Sequence, residues 1–199
     1  MKLINDDRDL VNKNSSSGIV MYSNGDFYEG DFKGGSYLNH GKGKYTWANG
    51  REYEGDFRNG KFHGEGVLNT LYYKYTGEFK RGKFHGKGCI IWVKDNSSYD
   101  GDWKNGKFHG MGKYIYADGR IYVGEWREDH MDGLAVLKFP NGTVYEGRFS
   151  KGNIHGKGQL RFMERKETTP MQTTTVAKWD KTIDAAVLFD GLWKANLRA

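Results

Sequence analysis

Six copies of one short pattern limit how this chain folds. Tyr28, Tyr53, Tyr75, Tyr99, Tyr122 and Tyr145 each begin the sequence Tyr-x-Gly-x-aromatic, at spacings of 25, 22, 24, 23 and 23 residues. Gly30, Gly55, Gly77, Gly101, Gly124 and Gly147 fill the third position, and Phe32, Phe57, Phe79, Trp103, Trp126 and Phe149 fill the fifth. A period of this length marks a repeat architecture, where each unit is one small element that buries its apolar face only against neighbours. The second half of the unit recurs as well. His-Gly-x-Gly spans His40 to Gly43, His63 to Gly66, His85 to Gly88, His109 to Gly112 and His155 to Gly158, with Asp132-Gly133-Leu134-Ala135 in the fifth unit. Asn49-Gly50, Asp118-Gly119 and Asn141-Gly142 stand between units, and these dipeptides favour tight hairpin turns.

The internal period of each half-unit is two. Tyr, Gly and the second ring at i, i+2 and i+4 share one face of an extended strand, and Glu29, Asp31 and Lys33 take the other. Each unit therefore reads as two strands joined by a turn such as Arg58-Asn59-Gly60. The expected fold class is all-β: an elongated single-layer antiparallel sheet of stacked β-hairpin repeats, curved, with an aromatic and glycine groove. The glycine between two rings leaves a slot without a Cβ, across which a neighbouring ring lies, and it lets the sheet bend toward the aromatic side. Tyr53, Phe57, Tyr75, Phe79, Trp92, Tyr99, Trp103, Tyr114, Tyr116, Tyr122, Trp126 and Tyr145 are the expected lining of that groove. The same rings serve as core, and an open single layer leaves part of their surface accessible.

Glycine, 29 of 199 residues, is about twice its usual share. Proline, only 2 residues, excludes a collagen-like or proline-rich chain. Aromatic residues at 15% argue for a folded chain even at a mean hydropathy of -0.81. Residues 1–17 are expected to be a disordered polar tail, and residues 18–162 the array: a half-unit from Gly18, then six units starting near 28, 53, 75, 99, 122 and 145. Residues 163–199 comprise a Thr-rich loop around Pro170 and a capping segment. There, Phe189-Asp190-Gly191-Leu192-Trp193 imitates the half-unit and suggests a degenerate seventh repeat, while Trp179, Ile183, Ala186 and Val187 sit at helical spacing. The first residues lack the apolar core of a secretory signal, and no apolar run is long enough to span a bilayer.

Reactive chemistry is not expected. A ladder of histidines two strands apart is too widely spaced to close around one zinc ion, so a turn-closing hydrogen bond is the expected role. Cys89 is the single cysteine and has no His or acid partner visible in sequence. No phosphate-cradling loop, nucleophile elbow or zincin motif is present. No cofactor and no metal are expected, and the chain is read as a non-enzyme. The outward acids Asp31, Asp56, Glu78 and Asp102 alternate with Lys33, Arg58, Lys80 and Lys104, which reads as solubility and exposed pairing. The net charge of +6 comes from 31 basic and 25 acidic residues. Arg58, Lys61, Lys80, Arg81, Lys83, Lys104 and Lys107 recur at equivalent turns, so a regular array lines them along one edge. They are candidate contacts to acidic phospholipid. Nucleic acid is not an expected partner, because the interleaved acids repel phosphate.

The units Tyr53 to Gly66 and Tyr99 to Gly112 resemble MORN repeats, the membrane occupation and recognition nexus motifs of about 23 residues, and the resemblance covers residues 18–162. It implies an antiparallel sheet of stacked hairpins with a groove. It also implies a scaffold role: binding of partner proteins, in some members of acidic phospholipids, and self-association. The expected function is a non-enzymatic scaffold that binds a protein or peptide segment in the aromatic groove, with a peripheral membrane adaptor as the alternative. Self-association through the array ends and a cytoplasmic location at the cytoskeleton or a membrane complete the expectation. The fifth unit departs from the pattern at Asp129, Asp132 and Ala135, where an irregular groove or edge is expected.

Overall fold

Short aromatic and β-branched runs punctuated by Asn-Gly and Asp-Gly give strands and tight turns, and the repeats of this chain follow that rule closely. A computed structural model describes residues 17–34 and 36–162, together with the backbone of residues 180–184. Its strands are β1 (Ser17–Met21), β2 (Phe27–Phe32), β3 (Asn39–Thr46), β4 (Glu52–Arg58), β5 (Lys61–Asn69), β6 (Tyr73–Lys80), β7 (Lys83–Trp92), β8 (Ser98–Lys104), β9 (Lys107–Ile115), β10 (Ile121–Arg127), β11 (His130–Lys138), β12 (Val144–Ser150), β13 (Asn153–Arg161) and β14 (Asp180–Asp184).

Two compact units divide the chain, the first ending at Lys107 and the second starting at Phe108. In the first, β1 to β8 form an antiparallel sheet in which each strand pairs with the next. In the second, β9 to β14 do the same. The all-β class of antiparallel hairpin repeats is thus the observed one. β14 lies along β13, with Ile183 opposite Gly158 and Asp184 opposite Lys157. Residues 1–16, the Thr-rich loop and the Phe189 to Trp193 half-unit lie outside the described residues.

The register aligns like with like. In the first unit Gly30, Gly43, Gly55, Gly66, Gly77, Gly88 and Gly101 run across the strands as one row, beside Tyr28, Tyr45, Tyr53, Leu68, Tyr75, Ile90 and Tyr99. Each tyrosine ring occupies the space that a glycine pair leaves. A Cβ built on Gly66 would stand 2.5 Å from the Tyr53 Oη, and one built on Gly55 2.7 Å from it. Phe62 stacks on Tyr53 with 3.8 Å between ring centroids, while Phe57 and Phe79 meet it edge-on at 5.0 and 5.1 Å. Aromatic pairs of this kind add about 0.5–1.5 kcal/mol each beyond their buried area. The repeat tyrosines are fully buried, although the described residues form a single layer of strands within each unit.

A register slip recurs in the hairpins. Gly55 pairs with Gly66, but Asp56 pairs with His63, so Gly64 and Glu65 bulge from β5. The bulge leaves a backbone N–H without a ladder partner, and an acid supplies one. Asp56 Oδ2 accepts from Glu65 N at 3.1 Å, Asp31 Oδ2 from Lys42 N at 3.1 Å, Glu78 Oε1 from Lys87 N at 2.8 Å, and Glu125 Oε1 from Leu134 N at 3.0 Å. These acids are therefore structural clamps in addition to solubilising charges. The sixth repeat has Arg148 in that place.

The tyrosine hydroxyls follow the same division. Tyr28, Tyr53, Tyr75 and Tyr122 donate to the carbonyls of Asp31, Asp56, Glu78 and Glu125 at 2.7 to 2.9 Å. The Tyr145 hydroxyl is buried and has no partner among the described residues. Tyr53→Phe should therefore cost about 1–2 kcal/mol, since it orphans a carbonyl. Tyr145→Phe should be neutral or stabilising, because it removes a polar group that burial penalises. Thermal melts of the two variants check this, and an equal loss in both would contradict the assignment.

Candidate functional site

The structure divides the twelve rings expected to line a groove. Tyr53, Phe57, Tyr75, Phe79, Tyr99, Trp103, Tyr122, Trp126 and Tyr145 are buried, at 6% exposure or less. These nine are core rather than accessible lining. The glycine rows let the rings sink against the backbone, and the indole N–H groups of Trp103 and Trp126 are used up on the carbonyls of Gly88 and Gly112, at 2.8 and 3.2 Å. Trp92, in the first unit, and Tyr114 and Tyr116, in the second, stay half-buried.

Other rings, absent from the expected set, share this aromatic face. In the first unit Trp47, Phe62, Tyr73 and Phe84 are half-buried. Phe62 is opposite Phe57, Phe84 opposite Phe79, and Tyr73 opposite Trp92. Trp47 packs against Phe62 at 5.9 Å and carries the Arg51 guanidinium over its ring at 4.5 Å. Their signal was present in the sequence: Phe62, Phe84 and Phe108 precede the histidine of three consecutive units.

The depressions in the sheet open on the other face. In the first unit one is lined by Glu29, Lys42, Lys44, Glu54, Glu65, Val67 and Thr76 over a floor of Gly43, Gly55 and Gly66. In the second, Val123, Leu134 and Val136 rim a depression of about 480 Å³ floored by Ala135, Gly147 and Gly158. By register these residues alternate with the rings, so the concavities are floored by glycine and walled by charge or aliphatic groups. The missing Cβ atoms open space on the ring side, which the tyrosines fill, and the bare glycine backbone floors the hollow on the other face.

The basic turn residues do line up. Gly60 N donates to Asn39 O at 2.9 Å, Gly82 N to Phe62 O at 2.8 Å and Gly106 N to Phe84 O at 2.8 Å, so consecutive turns of the first unit lie side by side. Arg58, Lys61, Lys80, Arg81, Lys83, Lys104 and Lys107 are all exposed along this edge. The histidines act there as turn acceptors: His40 Nδ1 takes Asn59 N at 3.4 Å and His85 Nδ1 takes Asn105 N at 3.5 Å. In the fifth repeat Asp132 Oδ2 accepts Lys151 N at 3.5 Å in the histidine's place. Asp129 N reaches Phe108 O at 3.2 Å, as the turn glycines do. The edge expected to be irregular keeps its pattern there, because a carboxylate replaces the imidazole as acceptor and Asp129 takes up the left-handed φ of 71°.

Among the described residues no group of three or more His, Cys, Asp and Glu side chains is placed to hold a metal ion. Burial, with the Asp100 carboxylate, pushes the Cys89 thiol up and so disfavours the thiolate a nucleophile needs.

Comparison with known proteins adds the following. Residues 38–50, 53–68, 75–97, 99–119, 122–144 and 145–163 match the MORN repeat, together more than half of the chain. No curated protein matches it. Among solved structures it is similar to the TCP domain of SAS-4 (dCPAP) of Drosophila melanogaster, in complex with a proline-rich motif of Ana2 (dSTIL). That similarity has 8% identity and a TM-score of 0.41, covering 81% of this chain and 81% of that one.

Proposed function

The chain belongs to the MORN-repeat family, and from that premise we propose that it is a non-enzymatic scaffold whose aromatic face docks a segment of a partner protein. The observation that supports this most is the row of half-open rings in the first unit. Trp47, Phe62, Tyr73, Phe84 and Trp92 stand on one face above the buried tyrosines, and no second layer covers them among the described residues. Aromatic anchors backed by a packed floor are the usual carriers of binding energy at protein interfaces. An amphipathic helix with apolar residues at i, i+3, i+4 and i+7 suits such a row.

The test uses rings that are accessible, since Trp103 and Trp126 belong to the core. A chain carrying Trp47→Ala and Trp92→Ala should recover its native partners at least about tenfold less well, with a sheet spectrum unchanged. Full recovery by the folded double variant would overturn the reading.

The aligned basic edge supports a second reading, attachment to an acidic phospholipid surface. Each Lys or Arg close to such a surface contributes about 1 kcal/mol, and salt screens the effect. The protein should sediment with phosphoinositide vesicles at low salt and be released at high salt, and Arg81→Glu with Lys83→Glu should weaken the binding. Absence of binding at low salt removes this reading. Either role would suit a cytoplasmic protein at the cytoskeleton or a membrane. β1, at the end of the strand order among the described residues, offers an edge that would suit self-association.

A further inference from the structure

The turns that carry Arg51 and Arg120 are built alike and finished differently. The turn after β3 reads Asn49-Gly50-Arg51, and the turn after β9 reads Asp118-Gly119-Arg120. In each, the first residue closes the turn: Asn49 Oδ1 accepts Arg51 N at 3.2 Å, and Asp118 Oδ1 accepts Arg120 N at 3.0 Å. Each arginine then lies over a ring, Arg51 at 4.5 Å from the Trp47 centroid and Arg120 at 4.6 Å from that of Tyr116. Asp118 has a second oxygen, and Arg120 Nε donates to it at 2.7 Å. Asn49 has an amide nitrogen in its place, which is itself a donor. Arg51 Nε is consequently buried without an acceptor, and the guanidinium forms no ion pair among the described residues. Acids close by in sequence are committed elsewhere. Asp26 accepts from the Tyr45 hydroxyl at 2.6 Å and from Ala48 N at 2.9 Å, and Glu52 holds Lys44 at 3.1 Å. The Trp47 indole N–H also lacks an acceptor among the described residues, whereas Trp103 and Trp126 direct theirs to backbone carbonyls.

We infer that Arg51, together with the Trp47 indole, receives a carboxylate of the docked segment: an Asp or Glu side chain beside the apolar residues that meet Trp47 and Phe62. This rests on the docking role proposed above and gives it a chemical selectivity. A guanidinium is a planar fork of donors that matches the two oxygens of a carboxylate. Stacking on Trp47 holds that plane in place before a partner arrives. Trp47 packs against Phe62 at 5.9 Å, so the cation stands at the aromatic row itself and not on the basic turn edge. Its charge is delocalised over three nitrogens, and a carboxylate at the outer two compensates the whole group. Arg120 shows the same fork with its carboxylate supplied from within the chain, and Arg51 is the copy that leaves the place to a partner.

A peptide library tests this on the full chain. The probe is a displayed set of short helical sequences with Leu at i, i+3, i+4 and i+7 and every other position random. Binders selected on the parent chain should carry Asp or Glu at one fixed position. Made as synthetic peptides with amidated ends, they should lose at least about tenfold in affinity when that residue becomes Asn or Gln, as expected of a hydrogen bond to a charged group. On a chain with Arg51→Gln the same change should cost less than about twofold, because the two groups act as a pair. Asn49→Asp leaves every ring in place, fills the site from within, and should weaken the acidic peptide by at least about tenfold. Binders without an acid preference, or with an affinity that either Arg51→Gln or Asn49→Asp leaves unchanged, overturn the carboxylate site while the ring row stands. No binders, or binders indifferent to Trp47→Ala with Trp92→Ala, overturn the ring row and the carboxylate site with it.

Discussion

Alanine at position 55 is expected to cost the fold about 3 kcal/mol or more, at the upper end of what an added methyl does in a packed site. Its Cβ would stand 2.5 Å from both the Glu65 carbonyl oxygen and the Gly66 Cα, which are backbone atoms of the paired strand and have no rotamer to escape into. For a chain of this length the melting temperature should fall by roughly 6–12 °C. Gly34→Ala is the control. Nothing lies within 4 Å of a Cβ built there, so its effect should stay within about 0.5 kcal/mol. Equal losses in the two variants would refute the close-approach argument. The repeats already show which glycine is strict. The second glycine of the pair becomes Ala135 in the fifth unit, whereas all six first positions remain glycine.

Raising the pH should unfold the protein in one steep step above pH 10. Burial, reinforced in all four by nearby carboxylates, holds the hydroxyls of Tyr28, Tyr53, Tyr75 and Tyr122 well above their ordinary value of 10.0. Tyr145 is raised by burial as well. In the unfolded chain these groups ionise near 10.0, so above that pH unfolding releases their protons together. Stability is therefore complete below pH 10 and declines as pH rises toward the folded-state values, more steeply with each tyrosine in the set. Tyrosinate absorbance of the buried group should grow together with loss of the sheet's circular dichroism. Gradual ionisation of the buried rings with the sheet signal intact would contradict their being sealed in.

The hairpin stack was legible because its information is local and periodic. Tyr-x-Gly-x-aromatic fixes a face by parity alone, and Asn-Gly or Asp-Gly fixes where the strand turns. The depth of the rings was not legible. Whether Tyr53 sits open in a groove or sealed against backbone depends on Gly55 and Gly66 falling opposite each other, a cross-strand property that a linear pattern does not carry. Asp56 was similarly ambiguous. As one of a row of outward acids it reads as solubility, and only the register slip at Gly64 and Glu65 exposes the amide it clamps. The hollow over Ala135 was foreshadowed by the departures of the fifth unit, but its position on the face away from the rings required the pairing of Val123 with Val136.

The backbone-to-backbone hydrogen bonds that hold neighbouring turns together point one way along the chain. Gly60, Gly82 and Gly106 are donors to carbonyls that precede them by roughly one repeat, and Asn59 and Asn105 donate backward to His40 and His85. In each of these bonds the acceptor is thus synthesised before its donor. At about 5–20 residues per second a ribosome releases one repeat every few seconds, whereas a hairpin closes in about 1–10 μs. Each new hairpin leaves the exit tunnel to find the edge of its predecessor finished and its acceptors already aimed. Growth of the sheet can keep pace with translation, and the nascent chain never has to hold more than about one unpaired repeat in the open.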